Sequence, residues 1–319
     1  MHTIKINNND SGQRLDKFLT KRFRNMPQSL LYKYIRTKRI KVNGKRAKES
    51  TFLSEGDVLS LYISGEFFET DNREYAFLRI KPRLCIAYED ENIIVVNKPA
   101  GLIVHSDINE EFNTLINHIA AYLYAEGSYN PEAENSFAPA LCNRIDRNTQ
   151  GLVIAAKNAA SLKEMNEIIR NREVEKHYLA AVHGIPRDKN GVVKSYLSKN
   201  HEKNLVSVKQ RKNSVHDRQA VTKYAVLSTN KEKNLSLLEI ELVTGRTHQI
   251  RAQMASVGHP LLGDGKYAVN KTDRKMGFSH QALCSYSLRF ALKSEKTVLG
   301  YLNNLCITAP EPDFVKLFR

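Results

Sequence analysis

The sequence predicts an α+β fold in two parts, a small α/β N-terminal domain and a larger domain around a large mixed, mainly antiparallel sheet. Two short amphipathic helices, a hairpin and a last strand fill the first part. In the second part, strands outnumber helices and hairpin-length connections join many of them. The 319 residues are also enough for about two domains. We expect one domain at residues 1–63, a linker at 64–83 and a second domain at 84–319.

The composition is that of a soluble globular protein, with 41% hydrophobic and 26% charged residues. No apolar run approaches the ~20 residues that span a bilayer, and the N-terminus lacks the apolar segment of a secretory signal. Four cysteines are scattered without a C-x-x-C pair. We therefore expect a cytoplasmic protein with reduced thiols, no membrane association, and no disulfide or zinc framework.

The net charge of +15 is concentrated at the N-terminus. Residues 1–62 hold 14 Lys and Arg against 5 Asp and Glu, a net of +9, and the rest of the chain contributes only +6. A solvated basic face is the simplest interpretation, but such density more often marks an anionic partner. Because no strongly apolar amphipathic helix accompanies it, nucleic acid is favoured over a membrane surface.

The N-terminal elements follow from local patterns. Apolar residues at helical spacing predict a helix over residues 14–24 and a second over 29–39, with Ser29 available as its cap. Asn43-Gly44 is typical of a two-residue hairpin turn between two short strands. A Gly-Asp turn then leads into a last strand at 58–63.

The second part reads as strands interrupted by a few helices. Residues 64–83 show no clear periodicity and are interpreted as a linker or an added strand. A strand is predicted at 93–96, a helix at 112–125, a polar insert at 126–139, and a strand, helix and strand within 151–184. Further strands are predicted at 204–210, 219–230 and 234–243, with a helix at 248–258.

Several common sites are absent from the sequence. There is no G-x-x-x-x-G-K-[ST] loop, no G-x-G-x-x-G, no H-E-x-x-H and no G-x-S-x-G. The histidines occur singly, without metal-ligand spacing. We therefore predict neither a metal nor a cofactor.

Three clusters rich in Gly, Arg and Asp remain, at residues 98–106, 143–157 and 242–267. Each places polar residues at the end of an apolar strand, where an open sheet usually builds its site. In the third cluster, Thr247 is predicted to cap a helix that carries Arg251 about one turn further on. In the second, Asp146 has two readings, a turn before a strand or a carboxylate that acts on an anionic partner.

The run from residue 12 to about 63 resembles an S4 domain, a small RNA-binding module. The features that carry the likeness are the two helices, the "VNG" hairpin and the following "GD". The resemblance implies RNA binding by five basic residues: Lys33, Arg36, Lys38, Arg39 and Lys41.

The segment "NRIDRNTQGL" at 143–152 resembles the central His-Arg-Leu-Asp-x-x-Thr-Ser-Gly-Leu motif of the RluA-type RNA pseudouridine synthases. The likeness continues through "KPAGLIVHS", "EKHYLAAVHG", "TGRTHQIRAQMASVGHPLLGD" and "HQALCSYSLRF", and so spans residues 84 to about 312. Two residues depart from the motif: Asn143 stands for the usual His, and Gln150 for the usual Ser.

This resemblance implies an enzyme that isomerises uridine to pseudouridine without metal or cofactor. Asp146 corresponds to the nucleophile that forms a covalent adduct, and Arg251 to its cationic partner. Tyr178 corresponds to the tyrosine that stacks on the target base, and Arg144 to the residue that fills the stack after the base is flipped out. The expected partner is structured RNA, with ribosomal RNA favoured over transfer RNA, and the expected state is a monomer.

Other interpretations stay open from the residues. Tyr178 could be simple core, Arg144 only a phosphate contact, and Lys98 and Arg246 either structural or in contact with the RNA backbone. The whole chain could be a non-catalytic RNA-binding or ribosome-assembly factor. A glycosidase would need a second positioned carboxylate; Asp264 is the obvious candidate, but its flanking glycines favour a turn.

Overall fold

The computed structural model describes residues 1–23, 25–68, 75–107, 110–200 and 204–319. Within these ranges the chain forms one small sheet near the N-terminus and one large sheet, with helices packed against both. This is the α+β architecture that the sequence predicts. No helix in the described part of the chain is long and apolar enough to cross a membrane.

The small sheet and its two helices are built from the first 61 residues. The strands are β1 (His2–Lys5), β2 (Ile40–Val42), β3 (Lys45–Arg46) and β4 (Val58–Leu61), and the helices are α1 (Leu15–Arg22) and α2 (Gln28–Arg36). The strand order is β1-β4-β2-β3, and every pair is antiparallel. Buried residues of both helices pack with Leu59 and Leu61 of β4 in one core.

The predicted hairpin is confirmed: Asn43 and Gly44 both have positive φ, at 50° and 73°, as a type I′ turn requires. Two details of this region differ from the prediction. Helix α2 begins directly after Pro27, whose ring fixes a φ compatible with a helix start, so Ser29 lies inside the helix and does not cap it. Strand β1 was not predicted, because four residues carry too short a pattern.

The large sheet takes up most of the remaining chain. Its strands are β5 (Ile86–Glu89), β6 (Ile93–Lys98), β7 (Ala140–Leu141), β8 (Gln150–Ala156), β9 (Val174–His183), β10 (Asn190–Asn200), β11 (Leu205–Lys209), β12 (Arg218–Asn230), β13 (Leu235–Leu242), β14 (Leu283–Phe290) and β15 (Cys306–Thr308). The helices are α3 (Leu115–Ala125), α4 (Ala159–Arg170), α5 (Gln249–Ser256) and α6 (Lys271–Lys275).

The order along this sheet is β11-β10-β12-β13-β9-β14-β8-β6-β5, with β15 beside β14 and β7 beside β8. All of these pairs are antiparallel except β14 with β8, which is parallel. Both faces of the sheet are covered by core. In β8, Val153 and Ala155 face one core, and Leu152 and Ile154 face the other. Burial on both faces explains the uninterrupted apolar run of this strand.

Three features of this part of the chain differ from the sequence-based expectation. Helix α3 begins at Leu115, where the Thr114 side chain accepts a hydrogen bond from Asn117 N–H as the cap. Strand β10 was not predicted, because its residues are partly exposed and mostly polar. In the 64–83 region, short 3₁₀ turns stand at 65–67 and 76–79 instead of a strand, and 69–74 lie outside the described residues.

Candidate active site

Asp146 lies in the loop that leads into β8. Its backbone carbonyl accepts a hydrogen bond from Thr149 N–H at 3.1 Å, which closes a turn before the strand. The side chain is 26% exposed, whereas Ile145 beside it is buried. The backbone of Asp146 thus forms a turn, while its carboxylate remains accessible to a ligand.

Gly151 allows the two strands beneath this loop to approach closely. It has a φ of +115°, and a Cβ there would lie only 2.2 Å from the backbone oxygen of Ser285 on β14. A larger residue would therefore force β8 and β14 apart. This close parallel pairing holds the Asp146 loop against β14.

Arg251 on α5 connects Asp146 to a second carboxylate, that of Asp264. Its Nη1 donates to Asp146 Oδ2 at 2.9 Å, and its Nε and Nη2 donate to the two oxygens of Asp264 at 2.7 and 2.9 Å. The Arg251 side chain is 9% exposed and that of Asp264 is 0% exposed. The two-pronged bond to Asp264 fixes the guanidinium plane, and the remaining nitrogen faces Asp146.

The ion pair of Asp264 with Arg251 was not predicted from the sequence. Burial alone would raise the pKa of its carboxyl, but the hydrogen bonds and charge of Arg251 outweigh burial and lower it. Backbone N–H groups of Lys266 and Tyr267 also donate to it, so the predicted turn is present as well. An arginine on a buried helix face requires a counter-charge, and that requirement was the available signal.

Tyr178 lies on β9 within one of the two cores and is 5% exposed. Burial raises the pKa of its hydroxyl to about 12, and the Asp146 carboxylate adds to the effect, which places the two side chains within electrostatic range. Tyr178 is therefore both a core residue and a neighbour of the Asp146 site.

Lys98 at the end of β6 is completely buried. Its Nζ donates hydrogen bonds of 2.8 Å to the backbone carbonyls of Pro99, Leu102 and Arg147. Burial lowers its pKa to about 7, although the charge of Asp146 opposes the shift. Because the side chain cannot reach a phosphate, its role is structural: it ties the 98–102 turn to the loop of Asp146.

His248 lies on another side of the Asp146 carboxylate. Its Nε2 is 3.9 Å from Asp146 Oδ2, and its Nδ1 is 2.8 Å from the Tyr267 hydroxyl. That hydroxyl accepts a hydrogen bond from Val206 N–H, so its own hydrogen is free to go to Nδ1. Burial lowers the pKa of His248, which favours this neutral ring.

The backbone at His248 also corrects the predicted helix start. Its φ of 51° and ψ of 22° are left-handed, and α5 begins after it without a side-chain cap. The Thr247 cap was therefore wrong. His248, and not Thr247, thus occupies the position before the helix, and its imidazole lies near the Asp146 carboxylate.

Asn143 is half-buried and Arg144 is exposed, although the two are adjacent in the second cluster. The Asn143 side-chain oxygen accepts a 2.7 Å hydrogen bond from Ile154 N–H of β8. The amide thus holds the incoming segment to the strand, which gives a structural reason for Asn143. Burial lowers the pKa of the His105 imidazole, and the nearby charge of Arg144 lowers it further.

The basic residues singled out in the N-terminal domain lie in α2, in the turn that follows it and in β2. Lys33, Arg36, Lys38 and Arg39 are exposed, and Lys41 is half-buried. Two of them are positioned by rings, Arg39 over Tyr34 and Lys41 over Tyr62, each at 5.5 Å. We call these five residues the basic face.

The arrangement suits chemistry at a carboxylate. One exposed acid is held by a buried cation, itself neutralised by a second, inaccessible acid, with a tyrosine nearby. Across the ranges that the structure covers, no group of three or more His, Cys, Asp and Glu side chains is arranged to hold a metal ion.

Comparison with known proteins assigns this chain to a family. The family model for RNA pseudouridylate synthases matches residues 92–256, and that for the S4 domain matches 13–59. The first match contains Asp146, Tyr178 and Arg251. The chain belongs to the RNA pseudouridine synthases, with an N-terminal S4 domain, as its motifs predict.

Similar proteins cover nearly the whole chain. An uncharacterized RNA pseudouridine synthase of Mycoplasma genitalium is 32% identical over 97% of this chain and 94% of its own length. The ribosomal large subunit pseudouridine synthase C of Buchnera aphidicola subsp. Baizongia pistaciae is 30% identical over 97% of this chain and 93% of its own length. The protein of that name from Vibrio cholerae is 31% identical over 85% of this chain and 81% of its own length.

A solved structure shows the same fold. The human RNA pseudouridylate synthase domain containing 1 superposes with a TM-score of 0.57, at 21% identity, over 75% of this chain and 89% of its own.

Proposed function

We propose that this enzyme isomerises specific uridines in structured RNA, with large-subunit ribosomal RNA as the favoured substrate and Asp146 as the nucleophile. The observation that carries the proposal is the Asp146 carboxylate, accessible at the site and held 2.9 Å from the Arg251 guanidinium. A protein that only binds RNA has no need for an acid and a cation so arranged beside a buried tyrosine.

The reaction requires no redox partner. The N1–C1′ bond of the uridine breaks and a C5–C1′ bond forms, while C5 loses a proton and N1 gains one, so the product is an isomer of the substrate. Between these events the Asp146 carboxylate forms a covalent adduct with the nucleotide and is released unchanged. Arg251 remains ion-paired to Asp264 throughout and keeps Asp146 oriented.

A uridine in a folded stem must leave the stack before it reaches Asp146, at a cost of a few kcal/mol. In this proposal Arg144, an exposed residue two positions before Asp146, fills the vacated position. The ring of Tyr178 packs against the flipped base. The basic face of residues 1–63 holds the surrounding RNA, and residues 84–319 carry the chemistry.

Ribosomal RNA is favoured because two of the relatives that match most of the chain are named ribosomal large subunit pseudouridine synthase C. We also propose that the enzyme acts as a monomer, because one chain supplies all three of Asp146, Tyr178 and Arg251.

The test is to delete the gene and map pseudouridine in total RNA by carbodiimide treatment and primer extension. We expect specific large-subunit sites to disappear and to return when the wild-type gene is restored. Loss of transfer RNA sites only would support the enzymatic activity but show that the substrate is transfer RNA and not ribosomal RNA. No change at any site, with purified enzyme also inactive on transcripts of both RNAs, would favour the RNA-binding or assembly factor instead.

We expect the basic face to control salt-dependent RNA affinity. The double variant Lys33→Gln/Arg36→Gln should reduce the slope of log affinity against log salt by about 1.5, because each lost phosphate contact contributes about 0.7–0.9. Filter binding across a salt series measures this slope.

The matched control is Lys231→Gln/Lys233→Gln, which removes two exposed charges from the turn between β12 and β13. Its slope should equal that of the wild type. Equal slopes for both variants would contradict an RNA-binding role for the basic face.

A further inference from the structure

Hydrogen bonds between polar groups attach the S4 domain to the catalytic domain. They join residues 7–13, between β1 and α1, to residues 134–136, within the polar insert that follows α3. We name these two segments the key and the receptor loop. Neither segment contributes a residue to the Asp146 site.

The centre of this contact is a buried acid. Asp10 is 0% exposed, and its carboxylate accepts hydrogen bonds of 2.6 Å from both Asn135 Nδ2 and Ser136 Oγ. Both donors belong to the receptor loop, whereas the Asn7 N–H of the key adds only a longer bond of 3.5 Å. The catalytic domain therefore supplies the shorter hydrogen bonds to this carboxylate, which has lost its contact with water.

At a second acid the acceptor belongs to the catalytic domain and the donors belong to the S4 domain. Glu134 of the receptor loop accepts hydrogen bonds from Asn7 Nδ2 at 3.1 Å and Asn9 Nδ2 at 2.7 Å. Each domain therefore contributes one carboxylate and the neutral donors for the other. Such reciprocal pairing is satisfied in one register only, because a shift would leave the buried Asp10 carboxylate and the half-buried Glu134 carboxylate without these donors.

A third contact lies outside the receptor loop. The Asn9 side-chain oxygen accepts a 3.0 Å hydrogen bond from the backbone N–H of Ala159, the first residue of α4. The first N–H groups of a helix have no partner within it, so Asn9 satisfies one of them. Helix α4 shares a buried core with β8, so this bond links the key to the strand that follows Asp146.

We propose that the receptor loop and the start of α4 form a docking site for the key, which holds the basic face at one orientation to the Asp146 site and so determines which uridine is modified. The inference rests on the proposed function. If the domain were free on its linker, RNA bound to the basic face could present many uridines, whereas a docked domain presents those at one distance and angle.

The decisive variant is Asn9→Asp. It places a carboxylate against Glu134, and like charges at hydrogen-bond distance repel, so the contact should open. The rescue is Asn9→Asp/Glu134→Gln, in which the new amide can donate to the new carboxylate. Glu132→Ala is the matched control, because it removes an exposed acid from the same insert without touching the key.

Two readouts are needed. Small-angle scattering of the full-length protein should show a larger radius of gyration for Asn9→Asp than for the wild type, the control and the rescue. On full-length ribosomal RNA, KM should rise about tenfold, as when two linked binding modules lose a fixed geometry, and additional uridines should be modified. On a short stem-loop that reaches only the active site, kcat should stay unchanged.

The outcomes separate cleanly. Scattering of Asn9→Asp equal to the wild type would overturn the docking, and an opened protein with unchanged site selection would overturn its role in selection. Failure of the double variant to restore both readouts would attribute the effect to general damage and also overturn the inference. A wild-type protein inactive on every RNA would remove the proposed function and the selection role, while the scattering result would still test docking.

Discussion

Asp146→Asn is expected to abolish pseudouridine formation, with a loss of about 10⁴-fold or more, as for removal of a catalytic nucleophile. The amide is nearly the same size and can still face Arg251, but it cannot attack the nucleotide and form the adduct. RNA affinity should change little, because removing an acid does not weaken phosphate contacts. The measurements are single-turnover rates and filter binding with the same RNA.

The control for this substitution is Asp313→Asn, the same chemical change at an exposed acid paired with Lys316 near the C-terminus. It should keep the full rate. Activity of Asp146→Asn within tenfold of the wild type would assign the nucleophile elsewhere. A large loss of affinity or folding would instead show that Asp146 is structural.

Arg251→Met should damage both folding and catalysis. The Asp264 carboxylate would keep the backbone N–H groups of Lys266 and Tyr267 but lose its buried cation. Breaking a buried pair in this way costs about 3–5 kcal/mol in the free energy of unfolding. Urea unfolding measures this loss. The rate should fall by a further ~10²-fold or more in protein that remains folded, because Asp146 loses its partner.

The double variant Arg251→Met/Asp264→Asn separates the two effects. Without the buried charge, most of the lost unfolding free energy should return, while activity should not. A double variant with restored activity would show that Arg251 serves only to neutralise Asp264. A double variant as unstable as the single one would place the cost in packing instead of charge.

Local patterns predicted much of this fold. The Asn43-Gly44 turn needs only the conformational preferences of its two residues, and the β8 strand is visible as an apolar run. The predicted helices α1, α2, α4 and α5 are present, with starts that differ by a few residues. These features depend on residues that are close in sequence, so local patterns are sufficient to predict them.

The candidate site was predicted only in part. The ion pair between Asp146 and Arg251 follows the motif resemblance, and the structure brings the two together. The ion pair of Arg251 with Asp264 and the neighbourhood of His248 and Tyr267 were not predicted. Contacts between polar side chains on different elements have no periodicity, so a lone sequence cannot indicate them. The docking of Asp10 on the receptor loop was missed for the same reason.

The parallel pairing of β8 with β14 has a consequence for how the enzyme is made. Gln150 lies opposite Cys284, so the strand behind Asp146 gains this neighbour only after nearly the whole chain has been synthesised. Contacts so distant in sequence form slowly. The growing polypeptide can complete its S4 domain early and bind RNA while it still has no finished pocket. Catalytic competence therefore arrives late in biosynthesis, and a product that stops before residue 283 would bind RNA without modifying it.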